Sequence, residues 1–426
     1  MTHRTAFLST LALLVACESE APGGDDAFVP TDTGADAGVE DGGGDAGAPE
    51  PEFLGYALCV STVSPEGAVG LVVGVDDVSE GLLTLRDGVE IGTGGPTCAT
   101  GFNYAFVGVG DSPIVTRFER DAEGNMVPGP RVSFVVAGVE RIFSGRGRYF
   151  RFLSPERALY VDRTTGIVVV FDPTEMAVLD SVQLEGYEVE GATPSVVPPF
   201  AETEGDELLL YVRYVSELGE QLPQAALIRL NTNTLDYRVT REERCGGLAN
   251  DVTTSDGTLY VASSTFVTAQ RMIGLAPEAP CLLRVLPGAS SFDPDFYVEL
   301  SDLTGGLPTG GMIEGPGNGA LIKAYDAEVV DPSGLLTTFE VVGAPSWRVF
   351  LIEDLDDVTS AEAIPDFPIQ TGQGNEIFAT QGRSYLLRID VASLTSVLQD
   401  ITDPFDIREG LGIRGGFFIG GGELLR

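Results

Sequence analysis

The chain of 426 residues carries 64 Asp and Glu against 25 Lys and Arg, a formal net charge of −39. That excess argues against nucleic acid and anionic membrane surfaces as partners, because both would repel it. The one histidine, His3, falls in a segment that reads as a cleaved export signal, so Ser-His-Asp hydrolysis, Cys-His nucleophiles and His-ligated zinc are excluded for the remainder.

Residues 1–16 form that signal. Arg4 gives a positive start, and the run from Ala6 to Val15 is apolar but too short to span a bilayer. Leu14-Val15-Ala16-Cys17 resembles the lipobox of bacterial lipoproteins, so Cys17 is expected to be the lipidated first residue and the lipid membrane a partner. Glu18 points to the outer membrane, with a periplasmic or surface-facing position. Several acyl chains, at about 0.8 kcal/mol per buried methylene, make such an anchor durable. Residues 17–52 follow as a linker: positions 18 to 52 hold eleven carboxylates and no Lys or Arg. Such a stretch repels itself and cannot bury a core, so it reads as a disordered acidic tether.

Residues 53–426 read as one domain. Its four cysteines, Cys59, Cys98, Cys245 and Cys281, form an even set in an exported chain and suggest two disulfides. Of three connectivities, Cys59 with Cys98 and Cys245 with Cys281 is the local one. A strand of the form aliphatic-aliphatic-Arg-aliphatic recurs around Arg117, Arg229, Arg284 and Arg388, with Val170 in the Arg place of another copy and a poorer register near Trp347-Arg348. The spacing fits units of roughly 52 to 56 residues. A second β-rich run precedes each copy, as in Ala158-Leu159-Tyr160-Val161 and Leu208-Leu209-Leu210-Tyr211-Val212, and turn pairs such as Asp256-Gly257 and Asn318-Gly319 lie between runs. With no long amphipathic helix, these units predict an all-β, seven-bladed β-propeller, with six or eight blades left open. The strand from Phe53 to Val60 is expected to close the ring against the last blade. The segment Thr265 to Pro280 reads as an insertion.

The repeated arginines read as ties between blades. Function is sought instead from Arg141 to Phe152, where Arg141, Arg146, Arg148 and Arg151 alternate with Phe143, Tyr149, Phe150 and Phe152. Guanidinium groups beside aromatic faces suit a planar or multiply anionic ligand, so Arg141, Arg146, Arg148, Tyr149 and Arg151 are the candidate ligand-binding residues. Weaker candidates are Lys323 with Tyr325, Trp347 with Arg348, Arg241 with Arg244, and the acids Asp354, Asp356 and Asp357. No spacing defines a metal site or a cofactor site, and no catalytic residue is assigned.

A further likeness runs through Ile114-Val115-Thr116-Arg117-Phe118, Asp121 and Gly124, Val132-Ser133-Phe134, Phe152-Leu153-Ser154-Pro155, Ala158-Leu159-Tyr160-Val161-Asp162 and Phe171-Asp172-Pro173-Thr174-Glu175-Met176. This pattern resembles the MxcI-type lipoproteins of myxobacterial siderophore clusters, a family of propeller lipoproteins. The resemblance implies capture of a ferric siderophore and delivery to a TonB-dependent receptor. The expectation is therefore a monomeric, non-catalytic, lipid-anchored binding propeller. The alternatives are an envelope scaffold for a protein or polysaccharide partner, and a carboxylate-based glycan-active enzyme.

Overall fold

The protein's structure, a computed structural model, describes residues 52–64, 67–93, 95–109, 112–142, 147–200, 206–276, 278–373, 377–380, 383–390 and 395–425. The expected signal, the Cys17 anchor and the tether up to residue 51 lie outside the described residues, as do Phe143 and Arg146.

The strand signals resolve into seven antiparallel sheets in a ring, a seven-bladed β-propeller. Six and eight blades are ruled out. The strand order from the inside outwards defines each blade. Blade 1 is Gly416–Leu425, Phe53–Ser64, Gly67–Val75 and Val89–Thr93; blade 2 is Pro96–Gly101, Tyr104–Val109, Ile114–Arg120 and Met126–Ser133. Blade 3 is Phe150–Ser154, Arg157–Val161, Ile167–Asp172 and Ala177–Gln183; blade 4 is Ala192–Val197, Glu207–Ser216, Gln221–Asn231 and Tyr237–Glu242. Blade 5 is Leu248–Thr253, Leu259–Ser263, Cys281–Val285 and Val298–Glu299; blade 6 is Thr309–Glu314, Ala320–Tyr325, Trp347–Ile352 and Glu362–Ala363. Blade 7 is Ile377–Thr380, Arg383–Asp390, Thr395–Asp400 and Arg408–Arg414.

Successive side chains of a strand point to opposite faces, and here both faces of the middle strands are covered. In the second strand of blade 4, Leu208, Leu210 and Val212 pack in a cluster shared with blade 3, while Leu209 and Tyr211 pack in one shared with blade 5. Strands buried on both faces therefore read as continuous apolar runs rather than alternating ones. Equivalent clusters lie between blades 5 and 6, 6 and 7, 7 and 1, and 1 and 2.

Closure joins the chain ends. Phe53–Ser64 pairs with the C-terminal strand Gly416–Leu425 inside blade 1, beginning with Phe53 opposite Leu425. A strap after Val75 then crosses to blade 7: Leu82 and Leu83 pair in parallel with Gly412 and Ile413, and Leu411 N–H donates to Val78 O at 2.8 Å. Cys59 is bonded to Cys98, joining blade 1 to the inner strand of blade 2, and Cys245 to Cys281 within the frame of blade 5. Both are the local pairs expected.

The described residues contain three short helices, and none is long and apolar enough to cross a membrane. Thr265–Met272 is the expected insertion, set between the second and third strands of blade 5; Thr338–Gly343 occupies the same place in blade 6. Strand connectivity thus sorts the loops. The helices lie on one face, and the turns between first and second strands on the other. Phe53 begins on this second face, beside Leu425, whose N–H donates to Phe102 O in the corresponding turn of blade 2.

Arg117 and Arg229 tie neighbouring blades as expected: Arg117 donates to Thr174 O at 2.6 Å, and Arg229 donates to Ala289 O. Arg388 is out of step with them. It lies on the second strand of its blade rather than the third, and pairs with Glu409 at 2.5 Å.

Candidate functional site

The expected Arg and aromatic patch does not assemble as one exposed surface. Arg141 is exposed, whereas Arg148 and Tyr149 are fully buried and Arg151 is 5% exposed. Residues 147–149 form a single 3-10 turn that leads into the inner strand of blade 3. Gly147 there leaves no room for a side chain, since a Cβ would fall 2.6 Å from Cys98 O.

Arg148 reaches across the inner end of blade 4. Its guanidinium donates to Pro198 O, to Tyr211 Oη at 3.1 Å and to Asp251 Oδ1 at 2.5 Å, with the Phe200 ring stacked 3.9 Å from its centre. Asp251 also accepts from Tyr211 Oη at 2.9 Å and from Phe200 N–H at 2.6 Å. Arg151 donates to Pro199 O. Both charges of the Arg148–Asp251 pair are inaccessible to water, and several hydrogen bonds compensate their burial. Burial pushes the Tyr211 phenol well above its ordinary range. This cluster holds blades 3, 4 and 5 together.

The other sequence candidates are also absorbed into the frame. Lys323 is 1% exposed and donates to Thr371 O at 3.0 Å and Gln373 O at 2.9 Å. Trp347 is buried edge-on to Tyr325 and donates to Val341 O. Arg348 pairs with Asp326, Arg241 donates to Gly186 O and Glu188 O, and Arg244 pairs with Glu242. Asp354 caps its own turn, and Asp356 accepts from Tyr260 Oη at 3.0 Å.

Two features had no sequence signal. Glu314 ends the inner strand of blade 6 and is exposed. Its carboxyl is held above the ordinary range, first by desolvation and then by the negative charge of Asp251.

The second feature is a pocket of about 410 Å³ at the seam of blades 1 and 7, lined by Phe53, Tyr56, Asp76, Asp77, Ser79, Arg383 and Tyr385. All come from the face on which residue 53 enters the fold. A bulge separates Phe53 from Tyr56 in the ladder, and Gly55 within it has φ +104°. Residues three apart in a regular strand face opposite ways; the bulge instead sets the two rings edge to face, 5.0 Å apart. Arg120 of blade 2 props this corner, donating to Leu54 O, to Gly124 O at 3.0 Å and to Asp76 at 2.6 Å. The N–H and hydroxyl of Ser79 donate to Asp77 at 2.8 and 2.7 Å and hold its carboxyl below the usual range. Tyr385 is raised, first by burial, with Arg383 acting in the opposite direction. Arg383 keeps half its side chain in water, 3.6 Å from Asp400.

No known family and no curated protein matches the chain by sequence. Solved structures share the wheel. The periplasmic gluconolactonase of Pseudomonas aeruginosa aligns over 87% of this chain and 99% of its own, with a TM-score of 0.52 and 10% identity. The WD40 domain of Toxoplasma gondii coronin aligns over 85% of each chain at a TM-score of 0.48 and 10% identity, and AztD of Citrobacter koseri over 87% and 98% at 0.40 and 10%. Likeness at this identity shows the fold alone. It nevertheless corrects the expectation of a non-catalytic protein: the gluconolactonase is an enzyme on this architecture, so a wheel of sheets gives no ground for excluding catalysis. This chain is similar to the gluconolactonase in overall fold.

Proposed function

We propose that the protein is a lipid-anchored, extracytoplasmic propeller that binds a small ligand in the pocket at the seam of blades 1 and 7. The observation that carries this reading is the pocket's makeup and place. An exposed Phe53 ring over two largely buried tyrosines, beside polar groups of both signs, gives a small molecule one apolar contact and several groups to orient it, and Phe53 directly follows the acidic stretch. Two disulfides support an oxidising compartment, and the lipobox at Cys17 supports the anchor. On this reading the ligand is held on the side from which the tether leaves.

A ferric siderophore as cargo and a TonB-dependent receptor as the next carrier rest on the sequence resemblance alone. Two carboxylates facing one guanidinium disfavour a strongly anionic ferric catecholate in this pocket. The test is a thermal-shift screen of the full chain carrying Cys17→Ala with sugars, amino compounds, and ferric catecholate and hydroxamate complexes. Binding is expected to raise the melting temperature of this protein and to be lost when Phe53→Ala and Arg383→Gln are added. A screen in which no compound binds, or in which every binder is indifferent to those changes, overturns the reading. Fractionation tests the anchor: wild-type protein is expected with membranes and Cys17→Ala in the soluble fraction.

A further inference from the structure

Building on the pocket reading above, we infer that the pocket at the seam of blades 1 and 7 recognises a small zwitterion, an organic ammonium joined to an anionic group. The argument is the arrangement of its walls. Phe53 keeps its ring exposed at the opening, packed edge to face at 66° against Tyr56, while Tyr56 and Tyr385, 4% and 2% exposed, form a largely buried floor. An exposed aromatic ring attracts an organic ammonium through its electron-rich face, and carboxylates beside it add to that attraction. Asp76 and Asp77 stand at the same opening. Each already accepts hydrogen bonds from the protein, Asp76 from Arg120 and Asp77 from Ser79. An ionised carboxylate has about four acceptor sites, so both retain capacity for a ligand.

Arg383 lines the same opening and is shared with Asp400 at 3.6 Å, so a purely cationic ligand meets a positive charge there. Its guanidinium is held beside Tyr385, with half its side chain in water, and would repel a bare ammonium. An anionic arm on the same ligand converts that repulsion into a charge-assisted pair. The three walls come from different parts of the chain: the entry strand, the strap after Val75 and the second strand of blade 7. Folding of the ring is therefore needed to bring the acids and the arginine together. The same chemistry occurs in free betaines and in zwitterionic lipid headgroups. The pocket opens on the face at which Phe53 enters the fold, which gives both sources access.

The test is calorimetric titration of the full chain carrying Cys17→Ala with phosphocholine, glycine betaine, choline and inorganic phosphate. Phosphocholine or betaine is expected to bind at least tenfold more tightly than choline, and phosphate alone not at all. Adding Arg383→Gln should abolish the zwitterion's advantage while leaving choline binding equal or stronger. Adding Asp77→Asn should weaken both by about tenfold, the scale of one hydrogen bond to a charged group. Asp76→Asn, whose side chain is 91% exposed, serves as a second acid variant should Asp77→Asn fail to fold. Flotation with phosphatidylcholine vesicles separates the sources: co-flotation assigns a lipid headgroup, and binding of the free compounds without co-flotation assigns a soluble zwitterion. If sugars or other neutral compounds bind at Phe53 and Arg383 while no zwitterion does, the inference falls and the pocket stands. If nothing binds there, both fall.

Discussion

At the scale of single residues, the molecule places its most costly charges where no ligand can reach them. Arg148 and Asp251 are both inaccessible to water, and removing one partner leaves the other charged and buried. Asp251→Ala is therefore expected to destabilise by about 3–5 kcal/mol in urea unfolding, and the double change Arg148→Leu with Asp251→Leu by clearly less. Equal losses in the two would show that the pair does not act as argued. Glu314 behaves in the opposite sense. Its folded pKa lies above its unfolded one, so the folded state binds the proton more tightly, and stability falls as pH rises through the folded value. Glu314→Gln is expected to be no less stable than wild type near neutral pH and to lose that relative gain below roughly pH 4, where the unfolded carboxyl is also protonated. Calorimetric melting across that range reads it, and a variant that loses stability near neutrality would contradict the assignment. Neither residue was legible beforehand. Asp251 sits in Ala249-Asn250-Asp251-Val252 and Glu314 in Met312-Ile313-Glu314, ordinary strand contexts whose partners are supplied by other blades.

The elements were legible to the extent that their information is local. Apolar runs covered on both faces, turn pairs and the repeat spacing placed blades 1 to 7 without knowledge of contacts. The local cysteine pairing succeeded because neighbouring blades bring Cys59 and Cys98, 39 residues apart, within bonding reach. What the runs did not reveal is position within a blade. Leu386-Leu387-Arg388-Ile389 matches the third-strand pattern and yet forms a second strand, with Ile377–Thr380 before it as the inner strand and Thr395–Asp400 after it as the third. The pocket was hidden for a related reason: its walls depend on the Gly55 bulge and on the strap from blade 1 to blade 7, neither of which leaves a periodic trace. The Cys59–Cys98 bond reinforces the same closing region. By loop-closure entropy it contributes about 4 kcal/mol. Replacing both cysteines with serine is expected to lower unfolding free energy by that order in denaturant titration, and a loss below about 1 kcal/mol would show that strand pairing alone secures the ring.

For the molecule as a whole, the wheel separates two faces. One carries the short helices of blades 5 and 6, and the other receives the chain at Phe53 and opens the pocket at the blade 1 and 7 seam. The Arg148 cluster, which the sequence put forward for binding, instead secures the inner ends of blades 3 to 5, while the ring's closure gathers aromatic, acidic and basic side chains that are far apart along the chain. If the proposed pocket binds its ligand, closure and recognition are built from the same residues. A crystallographic fragment screen of the folded part, using chemically mixed small molecules, tests it most directly. Fragments are expected to collect between Phe53, Tyr56, Asp77 and Arg383. Fragments that settle reproducibly elsewhere on the wheel, with that pocket empty throughout, would contradict it.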